Sequence, residues 1–293
     1  MNTRIHRKPA LTPLLAGATL AALASTATAA PVTLVHETFG GSGSASLAGT
    51  TPGTFASALT SATPVAGTAT WYASPAFKAD GSIGGATRND NSAYLYLGSY
   101  INNTRGTADG KFTLTANIAK PTAGTWVSAG FLYIPSDKIS SSIDQTFNGG
   151  TGNLNGYGTF LHRTSDSGAN FFGGAGTTNS NDPGNIDADA SITITLDFTP
   201  EGGYNGTNNF GTVSFVATWG ADQTAEWSYT WTSSIPITGI GFSSSGTNIA
   251  GGVSSLTLTQ TLSTVPEPAN VALLAGALVA AGAIFRHRRH TRR

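Results

Sequence analysis

The chain has 293 residues, with 15 Lys and Arg against 15 Asp and Glu, and no cysteine. A zero formal charge with only 10% charged residues excludes a protein built to hold nucleic acid, which needs a cationic face. The lack of cysteine excludes disulfides and thiolate metal centres, so a hydrophobic core must carry any fold.

Residues 1–29 carry Arg4, Arg7 and Lys8, an apolar stretch from Leu11 to Ala24, and then Ala27-Thr28-Ala29. These are the n-region, h-region and A-x-A site of a secretory signal peptide. Pro31 directly after the cut would hinder the peptidase, so the expected cleavage falls between Ala29 and Ala30. An N-terminal anchor is the alternative. Against it, the h-region is short and interrupted by Pro13 and Gly17.

Residues 30–263 read as one sizeable β domain. Between Ala30 and Val265 there are seven basic side chains against fourteen acidic ones, a balance of −7. The neutral total therefore comes from the two basic ends. Gly, Thr, Ser and Asn dominate this body and helix formers are scarce. Period-two alternation marks strands: Phe112, Leu114, Ala116 and Ile118, then Ile192, Ile194, Leu196 and Phe198. Val213, Phe215, Ala217 and Trp219 follow, then Trp227, Tyr229 and Trp231, then Leu256 and Leu258. Shorter apolar pieces occur at 93–97, 127–134, 157–162 and 237–242. Glycine-rich clusters and Asn181-Asp182-Pro183-Gly184 read as the turns between them. About ten to fourteen strands, each with one wet face, predict two antiparallel sheets packed face to face. No confident amphipathic helix is expected between residues 31 and 265.

The chemistry in this body is thin. Its two histidines, His36 and His162, are far apart, and no H-E-x-x-H or paired-His spacing supports zinc. There is no G-x-S-x-G elbow and no phosphate-binding loop. Only three glutamates, Glu37, Glu201 and Glu226, are available for glycosidase-type carboxyl pairing, and none sits in a close E-x-D-x-x-E pattern. Asp182, Asp187 and Asp189 could offer oxygen ligands to Ca²⁺, against the plainer reading of a solvated acidic turn. Trp227, Tyr229 and Trp231 alternate with polar residues, so their aromatic side is expected to face the core. If a glycan site exists, Phe171, Phe172 and Tyr204 read as the better-exposed loop aromatics.

Residues 264–293 hold three devices in series. Pro266-Glu267-Pro268 is an extended, exposed triplet, because both prolines fix φ and lack an N–H. An uncharged apolar run follows from Val271 to Phe285, about 22 Å as a helix against a hydrocarbon core of about 30 Å. Then Arg286, Arg288, Arg289, Arg292 and Arg293 form a cationic stop that belongs on the cytoplasmic side. This order resembles the PEP-CTERM sorting signal of Gram-negative bacteria. The resemblance implies recognition by an exosortase, a membrane transpeptidase-like enzyme that cuts near the triplet, and export in strains that make exopolysaccharide. An ordinary single-pass anchor is the alternative, and the short helix favours the transient sorting role.

A second, pattern-level resemblance covers most of the body. Leu47-Ala48-Gly49-Thr50-Thr51-Pro52, Trp71-Tyr72-Ala73, Phe77-Lys78-Ala79-Asp80-Gly81-Ser82 and Phe112-Thr113-Leu114-Thr115 look like the first half of concanavalin/laminin-G-like jelly rolls. Residues 231–242 and 251–258 look like their closing strands. The resemblance implies that the last strand returns beside an early one, with Val32 to Phe39 near Leu256 to Leu262. It carries no catalytic motif.

The expected protein is thus all-β, a two-sheet antiparallel jelly-roll sandwich between an N-terminal signal peptide and one short C-terminal transmembrane helix. The expected role is non-enzymatic: an exported structural or adhesive protein, first held in the inner membrane, then placed at the cell surface or in the extracellular matrix. Its expected partners are signal peptidase, an exosortase-type enzyme, the membrane before processing, and polysaccharide; no nucleic acid and no obligatory cofactor is expected. The alternatives are a carbohydrate-active enzyme with an atypical site and a plain membrane-tethered β domain.

Overall fold

The computed structural model describes residues 31–263, apart from 42, 44, 63–69, 85–89, 123, 137–138, 140–154, 164–167, 175–178 and 246–247. Ala27, Ala29 and Ala30 of the cleavage site, the Pro266-Glu267-Pro268 triplet, the apolar run and the terminal arginines lie outside the described residues. No helix among the described residues is long and apolar enough to cross a membrane.

In chain order the strands begin with β1 (Pro31–Glu37), β2 (Thr54–Phe55), β3 (Tyr72–Ala73), β4 (Ser82–Gly84) and β5 (Asp90–Tyr96). They continue with β6 (Lys111–Ile118), β7 (Trp126–Tyr133), β8 (Asn155–Arg163), β9 (Ala169–Phe172) and β10 (Ser180–Gly184). The rest are β11 (Ala190–Asp197), β12 (Thr212–Trp219), β13 (Gln223–Thr230), β14 (Gly239–Ser245) and β15 (Asn248–Thr261). Two short helices, α1 (Ser57–Ala62) and α2 (Tyr100–Asn103), sit in connections.

One sheet runs β13-β12-β11-β6-β15-β1-β2, with β4 also paired to β15. The other runs β10-β9-β8-β7-β14-β5-β3. The pairings are antiparallel throughout. The two sheets form the jelly-roll sandwich that the alternating segments predict. β1 lies beside β15, with Pro31 opposite Thr261 and Glu37 opposite Leu256, so the last strand does return to the first.

The period-two pattern sets the faces. In β6, Phe112, Leu114, Ala116 and Ile118 are buried; in β11, Ala190, Ile192, Ile194 and Leu196 are buried; their alternate partners are not. Thr113 and Thr195, opposite one another on the wet face, bring their hydroxyls to 3.3 Å. Aromatic rings close the space between the sheets. Phe171 of β9 stacks on Phe215 of β12 at 5.2 Å between ring centroids, and Phe215 on Trp227 at 5.6 Å. Phe198 stacks on Trp231, and Trp71 on Phe242. Each fully buried ring of this size contributes roughly 1.5–3 kcal/mol of transfer free energy.

Two expectations need correction. Asn181-Asp182-Pro183-Gly184 is not a turn but most of β10, an edge strand with a register irregularity between Asn181 and Gly184. Pro183 lacks a ladder donor and is tolerated at such an edge. The second sheet also departs from one wet face per strand. Ala93 and Leu95 of β5 enter the main core, while Tyr94 and Tyr96 point the other way and are buried with Leu132 and Ile134 in a separate cluster. Tyr72 stacks on Tyr94 at 5.2 Å, and burial raises the pKa of Tyr72 and Tyr96.

Register gives the first sheet two poles. At one, Pro31 faces Thr261, Thr261 faces Lys111, Lys111 faces Asp197 and Asp197 faces Thr212. At the other, Val253 faces Ile118, Ile118 faces Ala190, Ala190 faces Trp219 and Trp219 faces Gln223. Seven residue steps of ~3.4 Å place these poles about 24 Å apart. Both ends of the described domain leave from the first pole.

Candidate functional site

The far pole holds a cleft of about 670 Å³. It forms where β6 and β12 end and where β11 and β13 begin. Trp219 is its aromatic wall. The residue sits on the inward side of β12, in line with Phe215 and Ala217, but it is the last residue of the strand. The core runs out beneath it, so Trp219 is half-buried where Trp231 is buried. This corrects the expectation that the whole Val213–Trp219 face is core. Gly220-Ala221-Asp222 then turns the chain into β13, with Gly220 at φ 60°.

Polar groups ring the indole. Asn117, Asp189, Asp222, Gln223 and Thr224 line the cleft and are exposed. Asn117 donates its amide N–H to Ser255 Oγ at 2.8 Å, which leaves its carbonyl oxygen as an acceptor. Asp189 Oδ1 accepts the backbone N–H of Lys120 at 2.8 Å. Lys120 Nζ pairs with Asp187. The ammonium of Lys120 is thus matched, while Asp189 and Asp222 give the cleft an anionic lining.

The proposed Ca²⁺ ligands are otherwise engaged. Asp182 Oδ1 accepts the N–H of Gly184 at 2.7 Å inside the bulged edge strand. Asp187 and Asp189 both serve Lys120, through its ammonium and its backbone. Among the described residues no group of three or more His, Cys, Asp or Glu could hold a metal ion.

The aromatic candidates for sugar contact also shift. Phe171 and Phe172 are not loop residues: they belong to β9, and both are buried. Phe171 packs in the core against Phe215, which removes it from any sugar-contacting surface. Tyr204 does sit in a loop, half-buried, edge-to-face on Phe210 at 6.5 Å. The loop around it is pinned by Asn205 Oδ1, which accepts the N–H groups of Thr207, Asn208 and Asn209. Trp227 and Tyr229 pack half-buried against the core from edge strand β13, as their alternation predicts.

The buried polar groups act in the fold. Glu37 Oε1 accepts the N–H groups of Thr38 and Phe39, and Trp71 Nε1 donates to Glu37 Oε2 at 3.3 Å. These bonds sit at the turn where Phe39 takes φ 49°. His162 is fully buried; its Nε2–H donates to the Ile186 carbonyl at 3.2 Å, and Phe160 stacks on the ring. Burial lowers its pKa. Arg105 lies over the Phe198 ring at 4.5 Å and donates from Nη1 to Ser234 Oγ. Burial draws its pKa down to about 10.

No protein-family model matches the chain, and no curated protein matches it in sequence. Solved structures do. The seed lectin of Lotus tetragonolobus is similar over 61% of this chain and 85% of its own, at 14% identity and TM-score 0.33. The lectin of Bauhinia forficata, solved with GalNAc, covers 60% of this chain and 82% of its own, at 9% identity and TM-score 0.38. The PL-14 alginate lyase of Aplysia kurodai covers 59% and 76%, at 10% identity and TM-score 0.36.

Proposed function

We propose that this chain is an exported, non-enzymatic surface or matrix protein with a structural or adhesive role, sorted through its tail and contacting polysaccharide. The observation that carries the reading is the sequence order in the tail: Pro266-Glu267-Pro268, then the apolar run from Val271 to Phe285, then the arginines from Arg286. The basic, apolar and A-x-A parts of residues 1–29 support export by the same route. Signal peptidase acts at Ala29–Ala30, the apolar run holds the precursor in the inner membrane, and an exosortase-type enzyme acts near the triplet.

The body suits such a role. It is charge-poor and needs no disulfide. Pro31 and Thr261 are paired neighbours, so the leader and the tail both join the sandwich at one pole.

The test replaces Pro266-Glu267-Pro268 with three alanines and leaves the apolar run and arginines intact. A simple anchor tolerates this change, because the burial that holds it in lipid is untouched. A sorting substrate does not. Immunoblots of fractionated cells, with a tag in the body and a host that has the sorting enzyme, should show uncut precursor accumulating in the inner membrane. The shorter form should vanish from the surface and medium. Equal size and location for wild type and variant would overturn the sorting reading.

A further inference from the structure

From the cleft at the far pole we infer that Trp219, Asn117, Asp189, Asp222 and Gln223 form a binding site for a neutral glycan. Three features of the site converge on that ligand class. The first is the half-buried indole of Trp219, held on its inner side by the core and open on the other. A pyranose ring carries an apolar C–H face that covers such a surface and removes it from water. The second is the lining. Carboxylate and amide oxygens from Asn117, Asp189, Asp222 and Gln223 accept hydrogen bonds from hydroxyl groups, which is what the rim of a sugar offers. At about 670 Å³ the cleft is within the size range of small-ligand sites.

The third feature is charge, and it selects among glycans. Asp189 and Asp222 face the cleft, whereas the ammonium of Lys120 is paired with Asp187. An acidic polysaccharide brings carboxylates against carboxylates, with no Lys or Arg among the described residues that line the cleft. A neutral chain meets no such repulsion.

Position adds a consequence, which rests on the surface reading proposed above. The cleft lies about 24 Å from the pole where both domain ends leave. Binding there leaves both ends of the described domain clear, so surface attachment and glycan binding do not compete for the same residues.

The test uses purified full-length chain in detergent and reads mobility in native gels cast with dextran, mannan, galactan or alginate. At least one neutral polymer should retard the wild type, and alginate should not. Trp219→Ala should weaken that retardation at least tenfold in apparent Kd. Trp219→Phe, which keeps a ring, should retain part of it, and Asp222→Ala with Gln223→Ala should weaken it without touching the core. Matching thermal melts among the variants exclude unfolding as the cause. Retardation by no neutral polymer, retardation by alginate alone, or neutral binding indifferent to Trp219→Ala would each overturn the proposal. The gel does not depend on where the cell sends the protein, so failure here and failure of the sorting reading are separable.

Discussion

At the scale of single residues, His162 shows how burial turns a titratable group into a pH-dependent element of stability. The ring is fully buried, and its Nε2–H is committed to the Ile186 carbonyl, which can only accept. Burial lowers its pKa; the Ile186 carbonyl and the charge of Asp189 oppose the shift, and Lys120 adds to it. A folded-state pKa below the unfolded value of about 6.5 means that the unfolded chain takes up its proton first. The stability contributed by neutral His162 is therefore complete above about pH 6.5 and is lost as pH falls from there toward the depressed folded value. The limiting slope for one proton is about 1.4 kcal/mol per pH unit. Urea melts of wild type and His162→Gln at pH 7.5, 6.5 and 5.5 should show a constant free-energy difference at the top of this range. Below it, the difference should move in favour of the variant. A difference that stays flat down to pH 5.5 would show that the imidazole does not titrate as a buried group.

At the scale of elements, β15 is the strand on which the first sheet is organised. It pairs with β1, β4 and β6, and it breaks register between Ile249 and Gly252 and again between Val253 and Ser255. The breaks let one strand serve two partners in different directions. The crossing is tight: Val253 N–H donates to the Gly81 carbonyl at 2.9 Å, and a Cβ at Gly252 would collide with that same carbonyl. Gly252 also has φ 153°. Gly252→Ala should therefore destabilise the domain by more than about 1 kcal/mol. Gly220→Ala provides the comparison, since Gly220 has positive φ but open space around the missing Cβ. It should incur only the left-handed backbone cost of about 1 kcal/mol. Equal midpoints for the two variants in urea would mean that the β4–β15 crossing can relax.

At the scale of the whole molecule, the fold is closed by its two most distant strands. β1 covers one flank of β15 and β6 covers the other. Leu256 and Leu258 of β15 and Leu34 and Val35 of β1 all enter the core. Deleting residues 31–37 should thus do more than trim an end. It should expose an apolar, unpaired edge in the middle of the first sheet, which is a template for association. Size-exclusion chromatography and thermal melts should show aggregation and loss of a cooperative transition. A monomeric deletion variant with the parent melt would show that β15 does not need its N-terminal partner.

The long alternating segments were legible in the sequence because each side chain's face follows from parity alone. Phe112 to Ile118 and Ile192 to Phe198 behave as written. The lack of disulfides is legible too, because the sequence has no cysteine. Parity does not say where a core stops. Trp219 carries the same inward phase as Phe215, yet it is only partly buried at the last position of β12. The Gly220-Ala221-Asp222 turn just after it was the available sign. Nor does local pattern reveal a partner far along the chain: Phe171 became core once Phe215 lay opposite it, and Asp189 met Lys120 across a separation of 69 residues. The sequence by itself determined the long alternating strands and the faces they present, since these follow from side-chain period. Only the tertiary structure decided which pole the chain ends share and which aromatic faces water, because both depend on strand register and on where two sheets cease to overlap.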